Sequence, residues 1–473
     1  MAAAAAPRRT KIVATIGPAC STAEALAQLV RAGADAARLN LSHGTHDQHR
    51  EWARLVRETE REVGRPIALI ADLQGPKLRV GDLEEPFSLR RGEPIVVGPA
   101  DDCTNGELPV SPSVISEVLQ PGHDVLIDDG LVRLHVDTVV AGRAQCTVVE
   151  GGVVTSHKGV NLPGVPIPIP SITRKDMDDL ELALELGVDF VALSFVRSAA
   201  DVRDLRELIE QAGSHAHVIA KIEKSEAVDA LDEILDESDV VMVARGDLGV
   251  EIGPALVPLL QKRIIATALE RGKPVITATQ MLESMLHAPE PTRAEASDVA
   301  NAVLDGTSAL MLSEETAVGE YPVEAVATMD VIARTVEPSQ GHRHELPSSG
   351  DEPTVGEAIS NAACDIAEAL HAVALVVPTF TGGAASAVAR LRPRRPIVAI
   401  THDERVARRL VLEWGVVPLL IEVCENVEQL WSRSMEATCE AGLIESGDRV
   451  VITAGTLVNT PGSTNVIKVD VAP

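Results

Sequence analysis

Two short stretches of this chain put a lysine and two acids where they could act on one ligand. Lys221-Ile222-Glu223 and Ala244-Arg245-Gly246-Asp247 each close an apolar run that reads as a buried strand. Side chains alternate along a strand, so Lys221 and Glu223 share a face. A lysine and two carboxylates at the ends of neighbouring parallel strands suit a divalent cation and an anionic ligand held together. The alternative is a buried ion pair that only holds the core, but buried charge is costly unless paired or used.

Such residues need a scaffold that gathers strand ends. Apolar runs at 11–16, 36–41, 67–71, 190–195, 218–222, 240–244, 274–278 and 309–312 alternate with amphipathic stretches such as 22–32, 199–212 and 257–271. Repeated strand–helix units imply a parallel sheet. Eight strands of this kind predict an α/β fold, a TIM (β/α)8 barrel, with a doubly wound open sheet as the alternative. Polar residues close almost every run: Thr15; Arg38, Asn40 and Ser42; Asp72; Ser194; Lys221 and Glu223; Asp247; Thr279; Ser313. A barrel collects its strand C-terminal ends around one mouth, which favours it over the open sheet. Arg38, Asn40 and Ser42 alternate strictly and therefore point the same way.

The rhythm stops between residues 76 and 170, where short strands alternate with turns such as Asp128-Asp129-Gly130 and Glu150-Gly151-Gly152. An inserted small β-barrel fits this segment. It would act as a lid that excludes water, or be a tolerated insertion. The expected divisions are a disordered tail at 1–9, the barrel at 10–75 and 171–337, the lid at 76–170, a linker at 338–353 and a C-terminal α/β domain at 354–473. With 473 residues the chain exceeds one core. Only 2% of residues are aromatic, so the cores must be built from Ala, Val, Leu and Ile. A formal net charge of -28 argues against nucleic acid and anionic membrane surfaces as partners, and an anionic substrate would need a local basic cluster. Six cysteines without a CxxC predict a reducing cytoplasm. No apolar run reaches the ~18 residues a membrane helix requires.

Eight motifs in order resemble the pyruvate kinase family: KIVATIGP from Lys11, NLSHG from Asn40, DLQGPKLR from Asp72, GVNLPG from Gly159, Lys221-Ile222-Glu223, ARGDLGVE from Ala244, TATQMLESM from Thr277 and PTRAEASDVANAVLDG from Pro291. The resemblance implies phosphoryl transfer from phosphoenolpyruvate to ADP, giving pyruvate and ATP. It also implies Mg²⁺ (or Mn²⁺) on Glu223 and Asp247, hard oxygen ligands that leave room for substrate oxygens. Lys221 and Arg38 would neutralise and grip the moving phosphate. Gly246 would offer its backbone N–H to the substrate carboxylate, and Asp247 would contact substrate through the metal. Thr279 would relay the proton that the enolate needs. Asn40, His43, Arg79 and Lys158 would touch the nucleotide. The family is usually a homotetramer.

Lys77 departs from the commonest pattern. Many members carry Glu there and bind K⁺ through the equivalents of Asn40, Ser42, Asp72 and the carbonyl of Leu73. Lys77 resembles the K⁺-independent branch, its ammonium taking the ion's electrostatic role, or else it points to solvent. Glu314 stands where a Gly is usual. In the last domain, Thr379, Thr381, Gly382 and Gly383 precede a helical run, a place that binds phosphate well, so a phosphorylated effector is expected there, with an ordinary helix entry as the alternative. The rival functions are a Mg²⁺-dependent lyase of phosphoenolpyruvate or pyruvate on a similar barrel, and a non-catalytic metabolite-binding regulator.

Overall fold

A computed structural model describes residues 7–104, 106–339, 353–455, 462 and 464–473. Eight parallel strands close on themselves: β1 (Lys11–Thr15), β2 (Ala36–Asn40), β3 (Ala68–Asp72), β4 (Phe190–Leu193), β5 (His217–Ile222), β6 (Val240–Ala244), β7 (Val275–Ala278) and β8 (Ala309–Leu312). β8 pairs back onto β1, Lys11 lying opposite Ala309, which rules out the open sheet. The strands are nearly unbroken apolar runs because both of their faces are covered. One alternate set, including Val13, Ile70, Phe190, Ile219, Met242 and Met311, fills the barrel. The other, including Ile12, Leu39, Leu69, Val191, Ala220 and Leu310, packs outward on the helices.

The inward set turns polar at its last layer, with Thr15, Arg38, Asp72 and Lys221 at the strand ends. Threonine caps start the helices that leave this mouth. Thr22 accepts from the Ala25 amide, and Thr45 forms a capping box with Gln48. Each such cap contributes about 1 kcal/mol and fixes where its loop ends. Gly17 is obligatory on space alone, since a Cβ there would lie 2.5 Å from the Ala317 carbonyl oxygen.

After β3 the chain enters a second closed barrel. Its seven strands are Leu78–Val80, Pro94–Pro99, Glu107–Ser111, Asp124–Ile127, Val132–Val140, Arg143–Glu150 and Gly159–Asn161. This barrel has its own core, around Leu108, Val110, Ile127, Leu134 and Val136.

The C-terminal unit is a five-stranded sheet with cores on both faces. Its strands are β9 (Ala374–Pro378), β10 (Ile397–Thr401), β11 (Val416–Leu420), β12 (Arg449–Gly455) and β13 (Thr464–Val471). β13 is an antiparallel edge strand beside β12.

This unit sits under the barrel, at the end opposite the polar layer. Val411 and Leu412 join the barrel's inner core. Lys11 Nζ donates to the Val416 carbonyl at 2.6 Å, and Arg408 pairs with Glu60 at 2.8 Å.

The expected tail at 1–9 needs correction at its end. Arg8 is 8% exposed and pairs with Asp35 and Asp330, both at 2.8 Å. Two half-buried acids hold it, so the ordered chain begins before residue 10. The rest of the tail, residues 1–6, and most of the expected linker, 340–352, lie outside the described residues.

Candidate active site at the barrel mouth

One carboxylate organises the two cations. Asp72, at the end of β3, accepts from Arg38 Nε at 2.7 Å and lies 3.2 Å from Lys221 Nζ. Arg38 also donates to Thr15 Oγ1 at 3.1 Å. Burial alone would raise the Asp72 pKa, but Lys221 and Arg38 outweigh it and hold the group below the usual carboxylate range. Lys221 is buried too, which alone would favour the neutral amine. Asp72 and Glu223 reverse that, and the ammonium holds its proton more tightly than a free lysine.

Glu223 is the group short of hydrogen-bond donors. Its Oε2 accepts from the Phe195 amide at 2.7 Å. Lys221 Nζ lies 2.9 Å from Oε1, yet off the direction a hydrogen bond needs, so this buried oxygen has no hydrogen-bond partner. Burial first, then the nearby Asp247, push the Glu223 pKa up against the pull of Lys221. A buried carboxylate oxygen without a donor, close to a second carboxylate, fits a hard divalent cation. Among the described residues no cluster of three or more His, Cys, Asp or Glu could form an all-protein cage. Mg²⁺ commonly binds through one or two carboxylates and completes its shell with water and phosphate oxygens.

Thr279 follows β7 at the rim. Its Oγ1 accepts from the Gly246 amide at 2.9 Å and donates to the Ala278 carbonyl at 2.8 Å. The Gly246 N–H expected for a substrate carboxylate is therefore engaged by Thr279. Thr277, one residue from the end of β7, faces outward and bonds Thr307.

The expected nucleotide residues are only partly gathered. Asn40 Oδ1 accepts from the Ser42 amide at 3.2 Å. His43 is exposed at the rim, where partial desolvation and then the cations Arg79 and Lys77 lower its pKa. Arg79 donates to the His157 carbonyl at 3.1 Å. Lys158 pairs with Asp128 at 2.9 Å in the turns of the small barrel. Lys77 lies 3.8 Å from Asp247, the acid it pairs with rather than Asp72, and its stem lies beside Gly159. The Leu73 carbonyl instead accepts from Ser194 Oγ at 2.7 Å. Glu314 is exposed and close enough to act on His43.

Three side chains that sequence reasoning did not assign support this site. Ser194 accepts from Lys221 Nζ at 2.6 Å. Glu251 pairs with Lys224 at 2.8 Å and accepts from the Gly164 amide at 3.0 Å, joining the barrel to the returning lid strand. Glu315 caps the Ser313 amide at the end of β8 and the Leu282 amide in the loop that follows β7. For Ser194 the signal was present, since it closes an apolar run on the same face as Phe190 and Ala192.

Far from the mouth, Thr379, Thr381 and Gly383 line a cavity of about 250 Å³ in the C-terminal domain. Gly382, with φ 99°, donates to Thr379 Oγ1 at 3.0 Å. The described lining holds Glu357, Glu422 and His402 but no Lys or Arg. No described helix is long and apolar enough to cross a membrane.

Comparison with known proteins agrees with this architecture. The family model "Pyruvate kinase, barrel domain" matches residues 7–326, and "Pyruvate kinase, alpha/beta domain" matches 357–470. The chain is 46% identical over 471 residues to pyruvate kinase 2 of Synechocystis sp., covering 98% of this chain and 79% of that protein. It is 46% identical over 472 residues to the pyruvate kinase of Geobacillus stearothermophilus, covering 98% and 80%. The pyruvate kinase of Clostridium acetobutylicum is 41% identical over 476 residues, covering 98% and 99%.

Proposed function

The chain belongs to the pyruvate kinase family, and on that premise we propose how its barrel mouth works. It is a phosphotransferase that passes the phosphoryl group of phosphoenolpyruvate to ADP, giving pyruvate and ATP. The lyase and regulator readings find no support among its relatives.

The family generally uses Mg²⁺ and K⁺. Glu223 and Asp247 are the residues that would hold Mg²⁺ or Mn²⁺ here. When bound, the divalent cation neutralises phosphate oxygens. Lys221, kept protonated by Asp72 and Glu223, places its charge where the phosphoryl group moves. Arg38, pinned by Asp72 and Thr15, grips the same group with a fixed fork of donors. Thr279 passes a proton to the enolate once the phosphoryl group has left. Asn40, His43 and Arg79 face the nucleotide, and Lys158 joins them by leaving Asp128 as the lid closes. The observation that supports this division best is the charge layer itself: Arg38, Asp72, Lys221 and Glu223 in contact at the strand ends.

Lys77 supplies a fixed positive charge at the mouth in place of a monovalent ion. Its proximity to Asp247 and its effect on His43 support that role. The Thr379–Gly383 loop is an effector site in this reading, with backbone N–H groups and hydroxyls doing the binding. The enzyme is a cytoplasmic homotetramer. A coupled assay for ATP formation tests the core of the proposal. Turnover should require phosphoenolpyruvate, ADP and Mg²⁺, and the rate without Na⁺ or K⁺ should lie close to that with K⁺. Absence of ATP formation would refute the function, and strong K⁺ stimulation would refute the role of Lys77.

A further inference from the structure

Arg245 follows β6 directly and opens the helix Arg245–Ile252. Its guanidinium crosses to the end of β7, where Nε donates to the Ala278 carbonyl at 3.1 Å and Nη2 to the Thr279 carbonyl at 2.7 Å. Asp298, on the helix Arg293–Asp305, accepts from Nη1 at 2.8 Å. The arginine side chain is only 11% exposed, and nothing in the phosphoryl-transfer scheme uses it.

What it holds is an improbable backbone. Thr279 has φ 66° and Gln280 φ 53°. Positive φ is an outlier for a β-branched residue and is strained, so the surroundings must enforce it. One cation takes two successive carbonyls of that turn. The next residue after it, Gly246, gives its amide to the Thr279 hydroxyl. The start of a single helix thus clamps Thr279 by its backbone and by its side chain.

We propose that Arg245, braced by Asp298, is the positioning residue that keeps the Thr279 hydroxyl in place for proton delivery. This rests on the reading of Thr279 as the proton relay. In that step the enolate carbon gains the hydroxyl proton, a C–H bond forming as the O–H bond breaks, and the oxygen recovers a proton from solvent. Loss of Arg245 lets the turn relax to negative φ, which carries the hydroxyl away from the mouth.

The proton step can be isolated by following exchange of pyruvate methyl protons with D₂O by NMR, in the presence of Mg²⁺ and ATP. In Arg245→Gln, exchange and kcat should both fall about tenfold or more. KM for phosphoenolpyruvate should stay within about two-fold, and Arg245→Lys should recover part of the loss. Equal loss in kcat and rise in KM, or unchanged exchange, overturns the proposal. Thr279→Ala is the control: if it too leaves exchange unchanged, the relay reading falls as well, whereas loss of exchange in Thr279→Ala alone removes only the role of Arg245. Should Arg245→Gln not fold, Asp298→Asn takes its place. There, slowed exchange with an unchanged melting temperature supports the proposal and unchanged exchange overturns it.

Discussion

At the scale of single residues, the site is a balance of charges that burial makes expensive. Lys221 has two carboxylates against its ammonium and a serine hydroxyl accepting from it. Replacing it with Met should cut kcat about 10²–10³-fold, as loss of one preorganised electrostatic contact does. It should also destabilise the fold by about 3–5 kcal/mol, because Glu223 would stay buried without its partner. Steady-state kinetics and thermal melts of Lys221→Met check both, and near-normal kcat would contradict the assignment. Much of this layer was legible in the sequence, since strict alternation puts Arg38 and Lys221 on inward faces. The Asp72 bridge to both cations was not, because β3 and β5 are not neighbours in sequence and do not pair. The bond from the Gly246 amide to Thr279 was not legible either, because its acceptor comes from another strand.

At the scale of elements, one buried acid helps tie the small inserted barrel to the large one, alongside Arg197, which donates to the Ile167 and Ile169 carbonyls. Glu251 holds Lys224 on the barrel side and the Gly164 amide on the lid side. Charge-assisted hydrogen bonds of this kind contribute about 1.5–3 kcal/mol each. Glu251→Ala should therefore speed amide exchange across residues 159–170 by about tenfold or more, read by hydrogen-exchange mass spectrometry. Unchanged protection would show that the hinge is held elsewhere. The eight barrel strands were legible to within two residues because each is a short apolar run bounded by polar residues. The lid was visible as a loss of helical rhythm, but its closure into seven strands depends on pairings between distant segments, such as Pro94–Pro99 with Arg143–Glu150. Edge strand β13 escaped because Asn465, Lys468 and Asp470 interrupt its apolar residues.

For the whole molecule, the C-terminal domain closes the barrel end away from the chemistry, and Lys11 marks that seam. Burial pushes its pKa from 10.5 down to about 8. The folded state therefore binds fewer protons than the unfolded chain between those values, and stability rises with pH across that window. Below about pH 8 the folded protein carries the full cost of the buried charge, at most about 3 kcal/mol. Melting temperatures of the wild type relative to Lys11→Met should rise from pH 8 to pH 10.5, and a flat difference would contradict this account of the seam. A charge of -28 surrounds a mouth that must take anions, so the proposed mechanism depends on its few inward cations and on a divalent metal. Mn²⁺ binding followed by electron paramagnetic resonance tests that dependence most directly. The wild type should hold one Mn²⁺ that Glu223→Gln and Asp247→Asn each weaken about tenfold or more. Equal affinity in all three proteins would mean that the two acids do not share a metal, and the proposed catalytic centre would be wrong.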